Sequence, residues 1–233
     1  VESRVAPRLQ RGSRYIAVSP STRRELVEQG VAAEAITVVQ NGADVPGRPA
    51  AAKSPHPSIC VLGRLVPHKR VEWALVAAAR IRRRLPDLKL QVVGRGYWEP
   101  RLRATAERLG LGDTVEFLGF VDEPTKHRIL ARSWVLAMPS LKEGWGLAVI
   151  EAAAHETPAV AFRAAGGVAD SVVDGETGLL AADAGEFTGQ LERLLLEPEL
   201  RRRMGRAARA HAARFSWAAS AAAFAAALRD ASR

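Results

Sequence analysis

The sequence predicts a doubly wound α/β fold, in which a parallel sheet carries helices on both of its faces. Three observations support it: short, nearly continuous apolar runs recur along the chain, stretches with helical spacing separate most of them, and turn residues mark the changes between the two. The apolar runs are residues 15–18, 36–39, 59–62, 90–93, 115–118, 134–138 and 159–162. Runs of four or five residues without polar alternation suit strands buried on both faces.

In chain order, Ser19-Pro20 offers a capping hydroxyl followed by a proline suited to a first helical turn, and Gly30 can close that helix in the left-handed conformation. Residues 46–58, PGRPAAAKSPHPS, hold four prolines without apolar periodicity and read as a linker. From Val71 the apolar positions Leu75, Ala78, Ile81 and Leu85 form one stripe of a helix whose other face carries Arg80, Arg82, Arg83 and Arg84. Glu197-Pro198 starts a further helix. In the arginine-rich stretch that follows, Leu200, Met204, Ala207 and His211 make one face. Arg201, Arg202, Arg206 and Arg209 point mostly elsewhere, as on a solvated helix face. A last helix is expected at about 217–228.

The expected organisation is a leading piece, 1–45, a linker, 46–58, a main domain, 59–215, and a C-terminal helix, 216–233. The leading piece has two strands and one helix, too little to bury two faces of a sheet, and reads as the tail of a preceding domain. The chain opens without a starter Met or a signal-peptide pattern, as a piece of a longer protein would.

With 233 residues and 48% hydrophobic content the chain can fill a sizeable core, which excludes disorder as its main state. The single cysteine, Cys60, excludes a disulfide scaffold and favours a reducing, cytoplasmic setting. Lys and Arg exceed Asp and Glu by 34 to 25, a net charge of +9, so the surface should attract nucleotides, phosphates, nucleic acid or anionic lipid. Charge alone does not choose among them.

A doubly wound sheet binds ligands beyond the carboxyl ends of its strands, so the loops there are the places to search. The first, GRLVPHKR at 63–70, sets Gly63 for close backbone approach and Arg64 and Lys69 to reach back over the strand end, two cations suited to a diphosphate. Solvated cations in a basic protein would look the same. The second, EGWGLAVIE at 143–151, brackets Trp145 with Gly144 and Gly146 just before a helical run, so its backbone N–H groups can meet a phosphate. Glu151 stands about 7.5 Å along the axis from Gly146, roughly a sugar ring away. Glu143 and Glu151 together suit the hydroxyls of a sugar nucleotide, although acids near a helix start are also what its dipole prefers.

The third loop, VVGRGYWE at 92–99, fails the dinucleotide pattern because Glu99 takes the place of the third glycine, and it reads as a tight strand-to-helix turn. No aspartates stand at D-x-D spacing to hold a Mg²⁺-diphosphate, so protein cations must neutralise one. The histidines, His56, His68, His127, His155 and His211, have no metal-ligand spacing and read as surface or packing residues.

The two loops together resemble the donor half of a GT-B glycosyltransferase of the retaining family 4 type. The E-x7-E element is present as Glu143 to Glu151, and GRLVPHK resembles the family's phosphate-binding Arg…Lys loop. VSPSTRRELVEQG and ITVVQNGAD resemble its last acceptor-domain strands, FLGFVDE the segment before its base pocket, PSLKEGWGLAVIEAAA its signature, and DSVVDGETGLL the strand that follows.

The resemblance implies a Rossmann-like half of a GT-B fold that binds a UDP- or GDP-sugar without metal or other cofactor. In it Arg64 and Lys69 would hold the diphosphate and stabilise the leaving nucleotide, with Gly63 giving close approach. The amides around Gly144, Trp145, Gly146 and Leu147 would bind the distal phosphate and sugar. Glu143 would contact hydroxyls of the transferred sugar, Glu151 would accept from the ribose, and Val121, Glu123 and Lys126 would lie near the base. The acceptor and its binding domain lie outside the sequence, and peripheral membrane contact stays open. His155 and Glu156 stand where the family often has small residues. A non-catalytic nucleotide-sugar-binding module is the rival reading, with nucleic-acid binding behind it.

Overall fold

The computed structural model describes residues 12–231. The leading piece contains β1 (Tyr15–Ala17), α1 (Pro20–Glu28) and β2 (Ile36–Val38), and the main unit runs β3 (Ser58–Leu62), α2 (Val71–Ile81), β4 (Lys89–Val93), α3 (Glu99–Arg108), β5 (Val115–Gly119), α4 (Glu123–Arg132) and β6 (Val135–Met138). It continues through α5 (Leu147–Ala153), β7 (Ala159–Phe162), α6 (Val168–Ser171), β8 (Gly178–Ala181), α7 (Ala184–Leu196), α8 (Pro198–Ala212) and α9 (Trp217–Ala231).

β3 to β8 form one parallel sheet in the order β5-β4-β3-β6-β7-β8. Its central strands are sealed on both faces: Cys60, Leu90, Leu136 and Val160 are wholly buried. That follows from their unbroken apolar sequences, because each strand lies between helix layers rather than against water. Helices α2, α3 and α7 pack on one another, and α4, α5 and α8 do likewise. The chain builds outward from β3 to β5, then returns to lay β6 on the other side of β3. At that reversal the connections leave in opposite directions and open a crevice above the ends of β3 and β6.

Several expectations are corrected. Residues 115–118 were read as a strand buried on both faces, but β5 is an edge strand paired only with β4 and is mostly half-buried. The stripe through Leu85 outruns its helix. α2 ends at Ile81, and Arg82 lies beyond it, donating to the carbonyls of Gly110 and Leu109 (2.5 and 3.4 Å). β8 is absent from the apolar runs, since GLLA begins on a glycine, although the family resemblance places a strand there.

On α8 the buried face is Leu200, Met204, Gly205, Ala208 and Ala212. Arg202 and Arg206 are solvated as expected, whereas Arg201 and Arg209 are structural. Arg201 donates to the Leu194 and Leu195 carbonyls and lies 3.8 Å over the Trp134 ring, and burial lowers its pKa to about 10. Arg209 donates to the Ala154 and Pro46 carbonyls (both 2.5 Å). α9 runs past residue 228 to Ala231, and none of its residues is buried. Its first turn is tight against the leading piece: a Cβ on Gly42 would stand 2.4 Å from the Trp217 nitrogen.

β1 and β2 pair in parallel as a separate two-stranded sheet. The segment between β2 and β3 is irregular but fastened at two points. The Lys53 stem is exposed while its ammonium is enclosed, donating to Ser133 O (2.9 Å), His155 O (3.1 Å) and Thr157 Oγ1 (2.5 Å). Burial lowers its pKa to about 7 against the opposing pull of Glu156. The Ala50 N–H donates to Nδ1 of the fully buried His155 (3.2 Å). With Nδ1 accepting, the network assigns the proton to Nε2, which faces His127 Nδ1 at 2.8 Å.

Burial, then His127, Lys53 and Arg209, lower the His155 pKa from 6.5 to about 4. Between those values the unfolded chain binds a proton that the native state refuses, so stability is level above the unfolded pKa and falls as pH drops toward 4. The expected loss across that window is about 3 kcal/mol. Denaturant unfolding at a series of pH values checks it, and His155→Asn should flatten the slope.

Candidate active site

The crevice floor is made by two loops. After β3, Gly63 leads into Arg64 and a single 3-10 turn, Pro67–Lys69, and Arg70 in the left-handed conformation (φ 48°) turns the chain into α2. After β6, residues 139–146 cross to α5. The loops are joined by a hydrogen bond from the Leu141 N–H to the His68 carbonyl (2.8 Å) and by Lys69, whose Nζ lies 2.5 Å from Glu143 Oε1. Both side chains are mostly buried, at 17% and 14% exposure. Arg64 is exposed and, among the described residues, pairs with no carboxylate. Gly63, Arg64, Lys69, Met138, Pro139 and Ser140 share one small pocket spanning the two strand ends. The structure therefore brings together three of the expected residues, Arg64, Lys69 and Glu143.

Gly146 starts α5 at φ +107°, and a Cβ there would stand 2.7 Å from Ser171 Oγ, so no other residue fits without displacement. Glu143 is fixed through its backbone: its N–H donates to Ala165 O (3.0 Å), and its carbonyl accepts from Gly167 (2.9 Å). The Trp145 side chain packs into the protein. The indole is 3% exposed, packs edge-on to Phe215 at 5.0 Å, and belongs to a cluster with Ile150, Ala153, Ala208 and Ala212. Any role at the crevice is left to its amide.

Glu151 on α5 meets Lys126 on α4, Nζ to Oε1 2.6 Å, and Lys126 also reaches Glu123 (2.7 Å). Burial pulls the Lys126 pKa down, but its hydrogen bonds to Glu123 and Glu151 outweigh this and hold it above the ordinary value. Glu123 is exposed and Glu151 largely buried. Three more of the expected residues thus form one cluster. Val121 is half-buried, and its side chain packs against the main core.

Two features went unread in the sequence. One is the His127–His155 pair, one residue and one helical turn away from Lys126 and Glu151. The other is the docking of α1 on the glycine loop and α6: the Ser21 N–H donates to Asp170 Oδ2 on α6 (2.9 Å), Thr22 Oγ1 donates to Gly144 O (3.1 Å), and Lys142 pairs with Glu25 (2.6 Å). The capping pattern of Ser19 and Pro20 reveals the helix but not what it rests on. Among the described residues no three His, Cys, Asp or Glu side chains are placed to hold a metal ion, and no helix is long and apolar enough to cross a membrane.

Residues 48–211 match the family model described as "Glycosyl transferases group 1". The chain is 36% identical to a D-inositol 3-phosphate glycosyltransferase of Segniliparus rotundus, over 80% of this chain and 45% of that protein. It is 32% identical to a glycogen synthase of Mycobacterium tuberculosis, over 83% and 48%. The chain spans about half the length of the curated relatives it matches. Among solved structures, the Anabaena protein HepE in complex with UDP and glucose superposes with a TM-score of 0.86 at 24% identity, over 97% of this chain and 66% of that one. A sucrose-phosphate synthase from Thermosynechococcus elongatus gives 0.82 at 26%, over 92% and 57%.

Because the Trp145 indole anchors the glycine loop to α8, Trp145→Ala should destabilise the fold by about 3–5 kcal/mol. Chemical denaturation measures this, and a loss below about 1 kcal/mol would show that the indole does not anchor the loop.

Proposed function

Because the chain belongs to the group 1 glycosyltransferases, we propose that its crevice binds a nucleoside-diphosphate sugar. In this reading the chain is the donor-binding part of a family 4 enzyme that transfers the sugar to an acceptor with retention of configuration and without a metal. The observation that carries it is the Lys69–Glu143 pair at 2.5 Å beside the exposed Arg64, at the point where the strand order reverses. Two cations at a strand end suit a diphosphate, and the acid beside them suits a sugar hydroxyl. HepE, which shares the fold, was solved in complex with UDP and glucose, in keeping with such a ligand.

The chemistry follows from charge. As the sugar–phosphate bond breaks, negative charge gathers on the departing diphosphate. Arg64 and Lys69 stabilise it, and fixed cations need no reorganisation at that moment. A phosphate that takes Lys69 as its partner frees Glu143 to accept from hydroxyls of the transferred sugar. The amides at the start of α5 meet the distal phosphate, and Glu151, held by Lys126, accepts from a ribose hydroxyl. The segment before residue 46 then belongs to an acceptor-binding domain, joined by the 46–58 linker to the donor domain at 59–215.

Calorimetry with UDP, GDP, ADP and TDP, with and without Mg²⁺, tests the reading. One diphosphate should bind saturably without metal and lose that binding in Glu151→Ala; failure of all four to bind would sink the proposal. In the full-length protein, Arg64→Ala combined with Lys69→Ala should abolish measurable turnover, since each charge-assisted contact is worth about 1.5–3 kcal/mol. Retained turnover in a transfer assay would remove both residues from the catalytic role.

A further inference from the structure

We infer that Arg95, in the turn after β4, is the residue that grips the nucleobase of the donor. This rests on the proposed donor site. In the sheet order, β4 lies between β3, whose end carries Arg64 and Lys69, and β5, whose end leads to Glu123. Neighbouring strands stand about 4.8 Å apart, so the phosphate loop and the base loop are separated by two such steps. A nucleoside diphosphate reaching from one to the other passes over the end of β4, where Arg95 stands.

The backbone there is a shelf. The Gly94 N–H donates to Gly119 O (2.7 Å), the Leu65 N–H donates to Arg95 O (3.0 Å), and a Cβ on Gly94 would lie 1.9 Å from Gly63 O. The three strand-end turns therefore form one layer, with no room for a side chain between the first two. Gly119, at φ +65°, leaves its own upper face bare, and the Arg95 side chain lies across it, with Nε 3.4 Å from where a Cβ would sit. The adjoining Phe120 is 74% exposed.

Arg95 differs from the arginines beside it. Arg101 is spread over the Trp98 ring at 4.4 Å, and Arg103 pairs with Glu99 (2.8 Å) and covers Phe117 at 4.6 Å. Arg95 is exposed, and among the described residues no carboxylate or carbonyl accepts from its guanidinium. A planar cation laid over a bare strand end, next to an exposed phenyl ring, fits a flat heteroaromatic ring carrying hydrogen-bond acceptors. A phosphate would ask only for charge, which Lys69 and Arg64 already supply.

The experiment compares inorganic pyrophosphate with whichever of UDP, GDP, ADP and TDP binds the wild-type chain best, by calorimetry at near-physiological salt. In Arg95→Ala, nucleoside-diphosphate affinity should fall about 5- to 30-fold, and Arg95→Lys, which keeps the charge but not the plane, should fall comparably. Pyrophosphate affinity should stay within about two-fold in both variants. Unchanged nucleotide binding overturns the inference, and so does equal weakening of pyrophosphate, which would make Arg95 a phosphate cation. Absence of any nucleotide binding to the wild type would instead bring down the donor reading itself, and this inference with it. Arg95 is exposed, so unchanged thermal melting and circular dichroism confirm that the variants fold.

Discussion

The ion pair between Lys69 and Glu143 crosses the one gap that the topology of the sheet leaves open. Above β3 and β6 the connections diverge, and the two loops meet across the opening through this ion pair and a backbone hydrogen bond. A pair at 2.5 Å with both partners largely removed from water loses solvation and regains it through mutual attraction and good geometry. It also holds two loops in register that share one backbone hydrogen bond, from Leu141 to His68.

That arrangement needs backing from behind, and different physics supplies it on each side. The Arg64 loop is backed by backbone: glycines at 94 and 96 admit direct contact with the Gly63 and Leu65 carbonyls, where any Cβ would collide. The Glu143 loop is backed by a side chain, the Trp145 indole pressed between α5 and α8. Rigid backing matters because a charge placed a fraction of an ångström off loses much of its effect on a forming anion. α1 then rests on the same loop through Thr22 and Glu25, so the leading piece contacts the crevice loop directly.

Apolar strands sealed on both faces were legible because the runs are short, unbroken and bounded by turn residues or helical spacing. β5 looked the same and is an edge, since periodicity reports the burial a strand could have, not its neighbours. Arg64, Lys69 and Glu143 could be placed at one end of the sheet because each lies in a loop that follows an apolar run, and Glu151 because helical spacing sets it along the helix that begins at the glycines. Arg201, Arg209 and His155 were read from spacing as solvated or packing residues, but Arg201 and Arg209 donate to backbone carbonyls and His155 accepts from the Ala50 N–H. Such partners are invisible until the fold brings them near.

The two lysines of the crevice are held differently, and that difference bears on how a charged ligand could enter. Among the described residues Lys69 pairs with one acid, so in the proposed site a phosphate oxygen can take the place of Glu143 and leave that carboxylate to accept from a sugar hydroxyl. Lys126 is shared by Glu123 and Glu151, and losing either leaves the other. It stays in place as an ordering cation that holds the Glu151 carboxyl in position. In the proposed site, one pair exchanges on binding and the other does not. An anionic donor can then be admitted to a basic protein without leaving a carboxylate stranded against it.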